Sequence, residues 1–266
     1  MTDQEQILTS LLNCRRVDLY SGDRSLTERQ REQFDQMQAR KLSGEPLQYI
    51  LGHCEFMGIK LRVDKRVLIP RPETEIMIEE AIKEIHRTWK NQPVDILDVG
   101  TGSGNIAIAL AKEGANVTTI DISPDALDAA RVNAQYNRVE DKISFVCQDM
   151  ETFLRQAIQD KQAFHVIVSN PPYIATSQLA RLPKDVQQEP KIALDGGEDG
   201  LKYLRQIFMF GQQLLKPEGS LFCEIGDGQR PDIEEMLGNL NLKGFDFIKD
   251  YNKIDRVVTL TNNASS

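Results

Sequence analysis

Very little in this chain points to a metal, a membrane or a nucleic-acid backbone. Of its 266 residues only three are histidine and four cysteine, and Cys14, Cys54, Cys147 and Cys223 are scattered with no C-x-x-C pair. That spacing offers no zinc site, so no metal is expected, and reduced thiols fit a cytosolic protein. No apolar run approaches the roughly 18 residues that a spanning helix needs. The start, "MTDQEQ", is acidic and polar. It resembles neither a secretory signal nor an Arg-rich transit peptide, so a cytoplasmic location without membrane contact is expected. There is no excess of positive charge: the net charge is −8 and the pI about 5.1. A general attraction to duplex phosphate is therefore not expected; net charge does not speak to a local basic patch. Internal repeats and low-complexity segments are also missing.

What is present is an ordinary globular composition, 40% hydrophobic and 27% charged, at a length sufficient for a sizeable core. The first fifty residues read as helical. Ile7, Leu8, Leu11 and Leu12 form a helical stripe. "SLTE" at 25–28 has a capping-box pattern, with Ser25 as cap and Glu28 reaching back, ahead of a very polar helix that stops at Gly44. Around "MG" at 57–58 the period changes: Ile59, Leu61 and Val63 alternate with Lys60 and Arg62, which predicts a β-hairpin. "PRPETEIMIEEAIKEIHRTW" then opens a helix with Pro72 in its first turn.

From residue 94 strands alternate with helices. "VDILDV", "ANVTTIDI", "ISFVCQD" and "AFHVIVSN" read as buried strands; "NIAIALAKEG", "SPDALDAARVNAQYN" and "METFLRQAIQ" read as helices between them. A further helix is read over 200–219, and "SLFCEI" and "RVVTLTN" supply the last strands. This pattern predicts an α/β fold, an open, doubly wound, Rossmann-like sheet. The expected division is a helical domain over 1–52, a hairpin linker over 53–70 and a catalytic domain over 71–266.

Chemistry concentrates at the carboxyl ends of these strands. "DVGTGSGN" (98–105) places Gly100, Thr101, Gly102, Ser103 and Gly104 between the first strand and its helix, where backbone without Cβ atoms can approach a ligand. Position 105 is Asn, so this is G-x-G-x-G and a weak match to a dinucleotide fingerprint. Asp121, followed by Ile122, ends the second strand, where an acid can accept from ribose hydroxyls. Asp149 ends the third and is placed either to hold an adenine amino group, with Met150 against the ring, or to cap the following helix. The fourth ends in "NPPY", residues 170–173.

In that order these features resemble the class I methyltransferases that use S-adenosylmethionine and release S-adenosylhomocysteine. The resemblance implies that the loop, Asp121, Ile122, Asp149, Met150 and Asn170 bind the cofactor, with Asp98 or the loop backbone near its amino-acid end. "NPPY" resembles the motif of enzymes that methylate amino nitrogens on sp² carbon. Such a nitrogen has a delocalised lone pair and attacks poorly. The Asn170 side-chain oxygen and the Pro171 carbonyl can accept its two N–H bonds, held stiffly by consecutive prolines, while Tyr173 lies against the planar group. Asn170, Pro171, Pro172 and Tyr173 are thus the expected acceptor site, with Asn170, Pro171 and Tyr173 catalytic.

The motif alone does not separate adenine from glutamine. The longer blocks "EPLQYILG", "LIPRPETE", "EPKIALDGGEDGL", "LKPEGSLFCEIGDGQ" and "DRVV" are similar to the release-factor glutamine methyltransferases, the HemK/PrmC family. That resemblance implies methylation of N5 of the glutamine in the Gly-Gly-Gln loop of class 1 peptide-chain release factors, with Arg71 and Thr74 near the cofactor and the "EPKIALDGGEDG" loop bordering the site, Glu189 in a structural role; a monomer is expected. An adenine-N6 methyltransferase would want a basic recognition region, which is not seen. A non-catalytic binding protein could lose the Asn or the glycine loop, and both are intact. The chain departs from the family at Met150, where an aromatic is frequent, at Lys253, where Gly is common, and in a longer stretch between Asp149 and Asn170.

Overall fold

The computed structural model describes residues 1–21, 25–90 and 92–262. Three helices come first: α1 (Asp3–Leu12), α2 (Glu28–Leu42) and α3 (Leu47–Leu51). Thr27, not Ser25, caps α2. Its hydroxyl accepts from the Gln30 N–H and the Gln30 side chain accepts from the Thr27 N–H. Two overlapping S/T-x-x-E/Q patterns compete here, and the second one forms the box. Glu5, on the inner face of α1, accepts from Arg16 and Tyr20 and ties the turn after α1 back onto it.

The hairpin pairs β1 (His53–Phe56) with β2 (Ile59–Arg62). Its turn residues Met57 and Gly58 have φ of 49° and 72°, the left-handed pair whose twist suits a two-residue connection. Phe56, Ile59 and Leu61 bury against Met77 and Ile78 of α4 (Pro72–Thr88), so the hairpin shares a core with the elements that follow it. Asn133 reinforces the joint: it accepts from the Arg62 N–H at 2.7 Å and donates to the carbonyls of Arg62 and Ser103, both at 2.9 Å.

The main sheet has seven strands: β3 (Asp95–Val99), β4 (Asn116–Asp121), β5 (Ile143–Cys147), β6 (Phe164–Ser169), β7 (Leu215–Glu224), β8 (Phe245–Lys249) and β9 (Asp255–Thr261). Their order is β5-β4-β3-β6-β7-β9-β8, parallel except where β9 pairs antiparallel with β7 and β8. Strand faces alternate between two cores. Ile96, Val166 and Val168 pack with α4 and α5 (Asn105–Lys112). Leu97, Val99 and Ile167 pack with α7 (Met150–Gln159), α8 (Lys202–Gly211) and α9 (Arg230–Asn239). The remaining helix, α6 (Pro124–Tyr136), begins at Ser123, whose hydroxyl accepts from Ala126. Burial on both faces is why the strands read as continuous apolar runs.

Two expectations change. The helix read over 200–219 ends at Gly211, and β7 begins at Leu215, because Pro217 cannot continue a helix. Helix α9 and strand β8 were not anticipated. No helix among the described residues is long and apolar enough to cross a membrane.

Candidate active site

Strand order reverses between β4 and β6 on either side of β3, which opens a crevice at the carboxyl ends of these strands. A cavity fills that crevice. Its walls are the glycine loop, the end of β4 through Ser123, the turn Gln148–Met150, the segment Ser169–Pro172, and two outer segments, Arg66–Pro70 and Pro190–Ala193.

On the β4 side, the Asp121 carboxylate accepts the Gly102 N–H at 3.0 Å and the Ser123 N–H at 2.9 Å. Burial pushes this carboxyl up from its ordinary range, opposed by those backbone donors. Each carboxylate oxygen keeps a second lone pair for a hydroxyl. Gly102 has φ of 51° and lines the cavity; a Cβ there would meet no protein atom within 4 Å, so backbone faces ligand space directly. Half-exposed Ile122 and Met150 form apolar walls of the cavity. Asp149 does two things at once: it lines the cavity and, through Oδ1, caps α7 by accepting from Thr152 at 3.0 Å, leaving Oδ2 for a ligand. This donor set suits an adenosine with free hydroxyls, so the residues present fit S-adenosylmethionine.

Of the loop residues, Gly100, Gly102 and Ser103 line the cavity, while Thr101 and Gly104 do not. Thr101 is buried and its hydroxyl bonds that of Thr119 at 2.7 Å, behind the loop. A Cβ on Gly104 would lie 3.0 Å from that of Ala130, so this glycine lets α5 pack on α6. Asp98 is fully buried behind the same loop, with Oδ2 accepting from Thr119 and Oδ1 without a partner among the described residues. Burial pushes its carboxyl up to about 7.

On the β6 side, Asn170, Pro171 and Pro172 line the cavity. Asn170 Nδ2 donates to Thr74 Oγ1 at 2.9 Å, Thr74 donates to Glu224 Oε2, and the Tyr173 phenol donates to Glu224 Oε1 at 3.2 Å. Tyr173 therefore points toward Glu224 and not into the cavity, and burial beside that carboxyl pushes its phenol up. Three glycines pack against Tyr173, two at its backbone and one at its ring. A Cβ on Gly196 would come within 2.8 Å of Tyr173 Cα, one on Gly200 within 2.5 Å of its carbonyl oxygen, and one on Gly226 within 3.2 Å of its ring. These close approaches give Gly196 and Gly200 of "DGGEDG" and Gly226 of "EIGDGQ" a physical role. Gln229 completes the support, accepting from Gly226 at 2.7 Å and donating to the Tyr173 carbonyl at 3.0 Å.

Arg71 and Glu189 form an ion pair, and Glu189 also accepts the Ile69 N–H at 3.0 Å. The pair joins the two outer walls of the cavity to each other. Neither side chain lines it, and burial pushes the Glu189 carboxyl up against the pull of Arg71. The Arg66–Pro70 wall and Glu224 were not foreseen as parts of the site. The apolar "VLIP" immediately before "RPETE" was the available signal for the wall.

Residues 90–227 match the family model described as a methyltransferase domain, and residues 2–52 match the PrmC N-terminal domain. The chain is 36% identical over 263 residues to the release factor glutamine methyltransferase of Clostridium acetobutylicum, covering 97% of this chain and 90% of that protein. It is 39% identical to that of Geobacter sulfurreducens, covering 96% and 87%. In fold it is similar to the crystal structure of the SAM-dependent methyltransferase from Agrobacterium tumefaciens, with a TM-score of 0.58 at 15% identity, covering 79% of this chain and 70% of that one.

Proposed function

This chain belongs to the release factor glutamine methyltransferases, S-adenosylmethionine-dependent protein-glutamine N5-methyltransferases, and from that premise we propose that its acceptor is the glutamine of the Gly-Gly-Gln loop of class 1 peptide-chain release factors. Modification there modulates translation termination. The observation that carries the reading is the meeting of Asn170 and Pro171 with the glycine loop and Asp121 around one cavity.

Bound S-adenosylmethionine supplies an electrophilic methyl group on a sulfonium sulfur. Asp121, the loop backbone at Gly100–Ser103, Ile122, Asp149 and Met150 hold that cofactor. Asn170 Oδ1 and the Pro171 carbonyl accept the two N–H bonds of the glutamine side chain, which turns the nitrogen lone pair toward the methyl group. The N–C bond would form as the sulfur–methyl bond breaks with its electron pair left on sulfur, which releases S-adenosylhomocysteine; the same two acceptors would stabilise the positive charge growing on nitrogen, whose proton would then pass to solvent. Holding both partners in line contributes on the order of 7–11 kcal/mol in well-oriented systems. Tyr173 acts through Glu224 and keeps the acceptor segment in place. The helical segment 1–52 helps hold the release factor, and the enzyme works as a monomer.

The test offers a purified class 1 release factor and an adenine-containing DNA oligonucleotide side by side, with methyl-labelled cofactor. Mass spectrometry then locates the label. Label on the Gly-Gly-Gln glutamine is the expected result. Label on DNA alone would overturn the reading and assign the Asn-Pro-Pro-Tyr segment to adenine.

A further inference from the structure

We propose that Thr74 and Glu224 are positioning residues for methyl transfer, and that the relay from Asn170 through Thr74 to Glu224 dictates which end of the Asn170 amide faces the acceptor. The proposal rests on the reading that Asn170 receives the glutamine side chain.

A primary amide has nearly the same shape either way round. Rotated by half a turn, Asn170 would present N–H donors to an acceptor that itself offers N–H, and the two would repel. Packing cannot choose between these orientations, so hydrogen-bond direction must. Thr74 has one hydroxyl proton, and an ionised carboxylate accepts only. Thr74 therefore donates to Glu224, which leaves its lone pairs for Asn170 at 2.9 Å and obliges the amide nitrogen to face it. Oδ1 is thereby left for the substrate. The Tyr173 phenol donates to the other oxygen of Glu224, so every proton in the chain points toward this carboxylate. Thr74 is 0% and Glu224 1% exposed, so water has no access to replace either partner.

The relay has a protonation state in which it reverses. A proton on Glu224 can be donated to Thr74, whose own proton then goes to Asn170 Oδ1 and turns the amide. Glu224 is faced by Thr74 and Glu73 of α4, Tyr173 beyond β6 and Arg256 of β9. Burial pushes its carboxyl up to about 7; the two hydroxyl donors and Arg256 favour the anion, and Glu73 opposes it. Turnover should fall as pH drops through this range.

Thr74→Val keeps the side-chain shape and removes the hydroxyl, and Thr74→Ser restores it. The expected result is a kcat reduced roughly 10- to 10²-fold in the valine variant, the scale of a small misplacement, with calorimetric cofactor affinity unchanged and kcat recovered in the serine variant. Glu224→Gln should lose the acidic limb of the kcat–pH profile. Wild-type kcat in Thr74→Val, or no recovery in Thr74→Ser with cofactor binding intact, would overturn the relay. A second measurement needs no acceptor: hydrogen exchange of the Asn170 side-chain amide by ¹⁵N NMR. Slow exchange that is lost in Thr74→Val supports the relay even if the release factor proves not to be the substrate. Identical exchange in both proteins overturns it.

Discussion

On the β4 side of the cavity, one carboxylate accepts backbone N–H groups at Gly102 and Ser123, 19 and 2 residues away along the chain. On the β6 side, Asn170, Tyr173, Thr74 and Glu224 bond through side chains separated by 96, 150 and 51 residues. The cofactor side is thus a local device made mostly of backbone, and most side chains nearby can change without disturbing it. The acceptor side is assembled from three distant segments whose polar groups are buried and mutually dependent. Losing one partner there strands the others, at the full desolvation cost of an unpaired buried group.

Perturbing each side separately should keep the two effects separate. Among changes outside the acceptor atoms themselves, the largest expected effect comes from Gly200→Ala. Its Cβ would lie 2.5 Å from the Tyr173 carbonyl oxygen, at a residue with φ of 77°. Displacing the acceptor segment by this much should cut turnover roughly 10²-fold or more, while calorimetry finds cofactor affinity close to wild type. Equal losses in both would mean that the two sides are one mechanical unit. Asp121→Ala should do the reverse, weakening cofactor binding roughly 10- to 100-fold, the value of a hydrogen bond to a charged group. Turnover at saturating cofactor should be nearly retained, and unchanged affinity would refute the ribose assignment.

A smaller effect follows from buried carboxyls that sit on both sides. Burial raises Asp98 and Glu224 to about 7, above their ordinary values of 3.8 and 4.5. The folded state therefore binds these protons more tightly than the unfolded chain does. Their stabilising contribution is complete below pH about 4 and is lost as pH rises through about 7. Denaturation midpoints should thus fall between pH 5.5 and 8, and Asp98→Asn should flatten the slope. A steeper slope in that variant would contradict the assignment. Turnover should move the opposite way over the same range, since the acceptor side needs Glu224 ionised.

The smallest effect lies away from both sides. Lys253 adopts φ of 65° in the β8–β9 turn, where a side chain is strained and glycine is not. Lys253→Gly should change the melting temperature by no more than about 1–2 °C upward, because relief of strain is offset by a more flexible unfolded chain. Turnover should stay at the wild-type value; a large loss of activity would link that turn to the acceptor side.

The same contrast decides what could be read from the amino acids. The glycine loop, Asp121 and Asp149 each follow a strand whose apolar run is plain, and each acts through its immediate neighbours. Asn170 and its two prolines were legible because they too end a plain apolar strand, although the partner of Asn170 lies 96 residues away. Glu224 looked like any strand-terminal acid, because nothing local reveals that Thr74 and Tyr173 converge on it. Thr101 and Gly104 sat in the right loop, yet one turns inward to Thr119 and the other accommodates Ala130, contacts set by the packing of the strands and of α5 on α6. Strand β8 escaped notice because it is a half-exposed edge strand with no fully buried residue, and edge strands lack the continuous apolar run of their neighbours. Pro217 did carry a legible warning that the helix before it could not extend to residue 219.

The most direct test of the whole account is Asn170→Ala, with turnover on the release factor and cofactor affinity measured on one preparation. The division into two sides predicts a kcat lower by roughly 10²–10³, as for loss of one transition-state partner, with cofactor affinity unchanged. Turnover equal to wild type would contradict the role of Asn170 and, with it, the acceptor site.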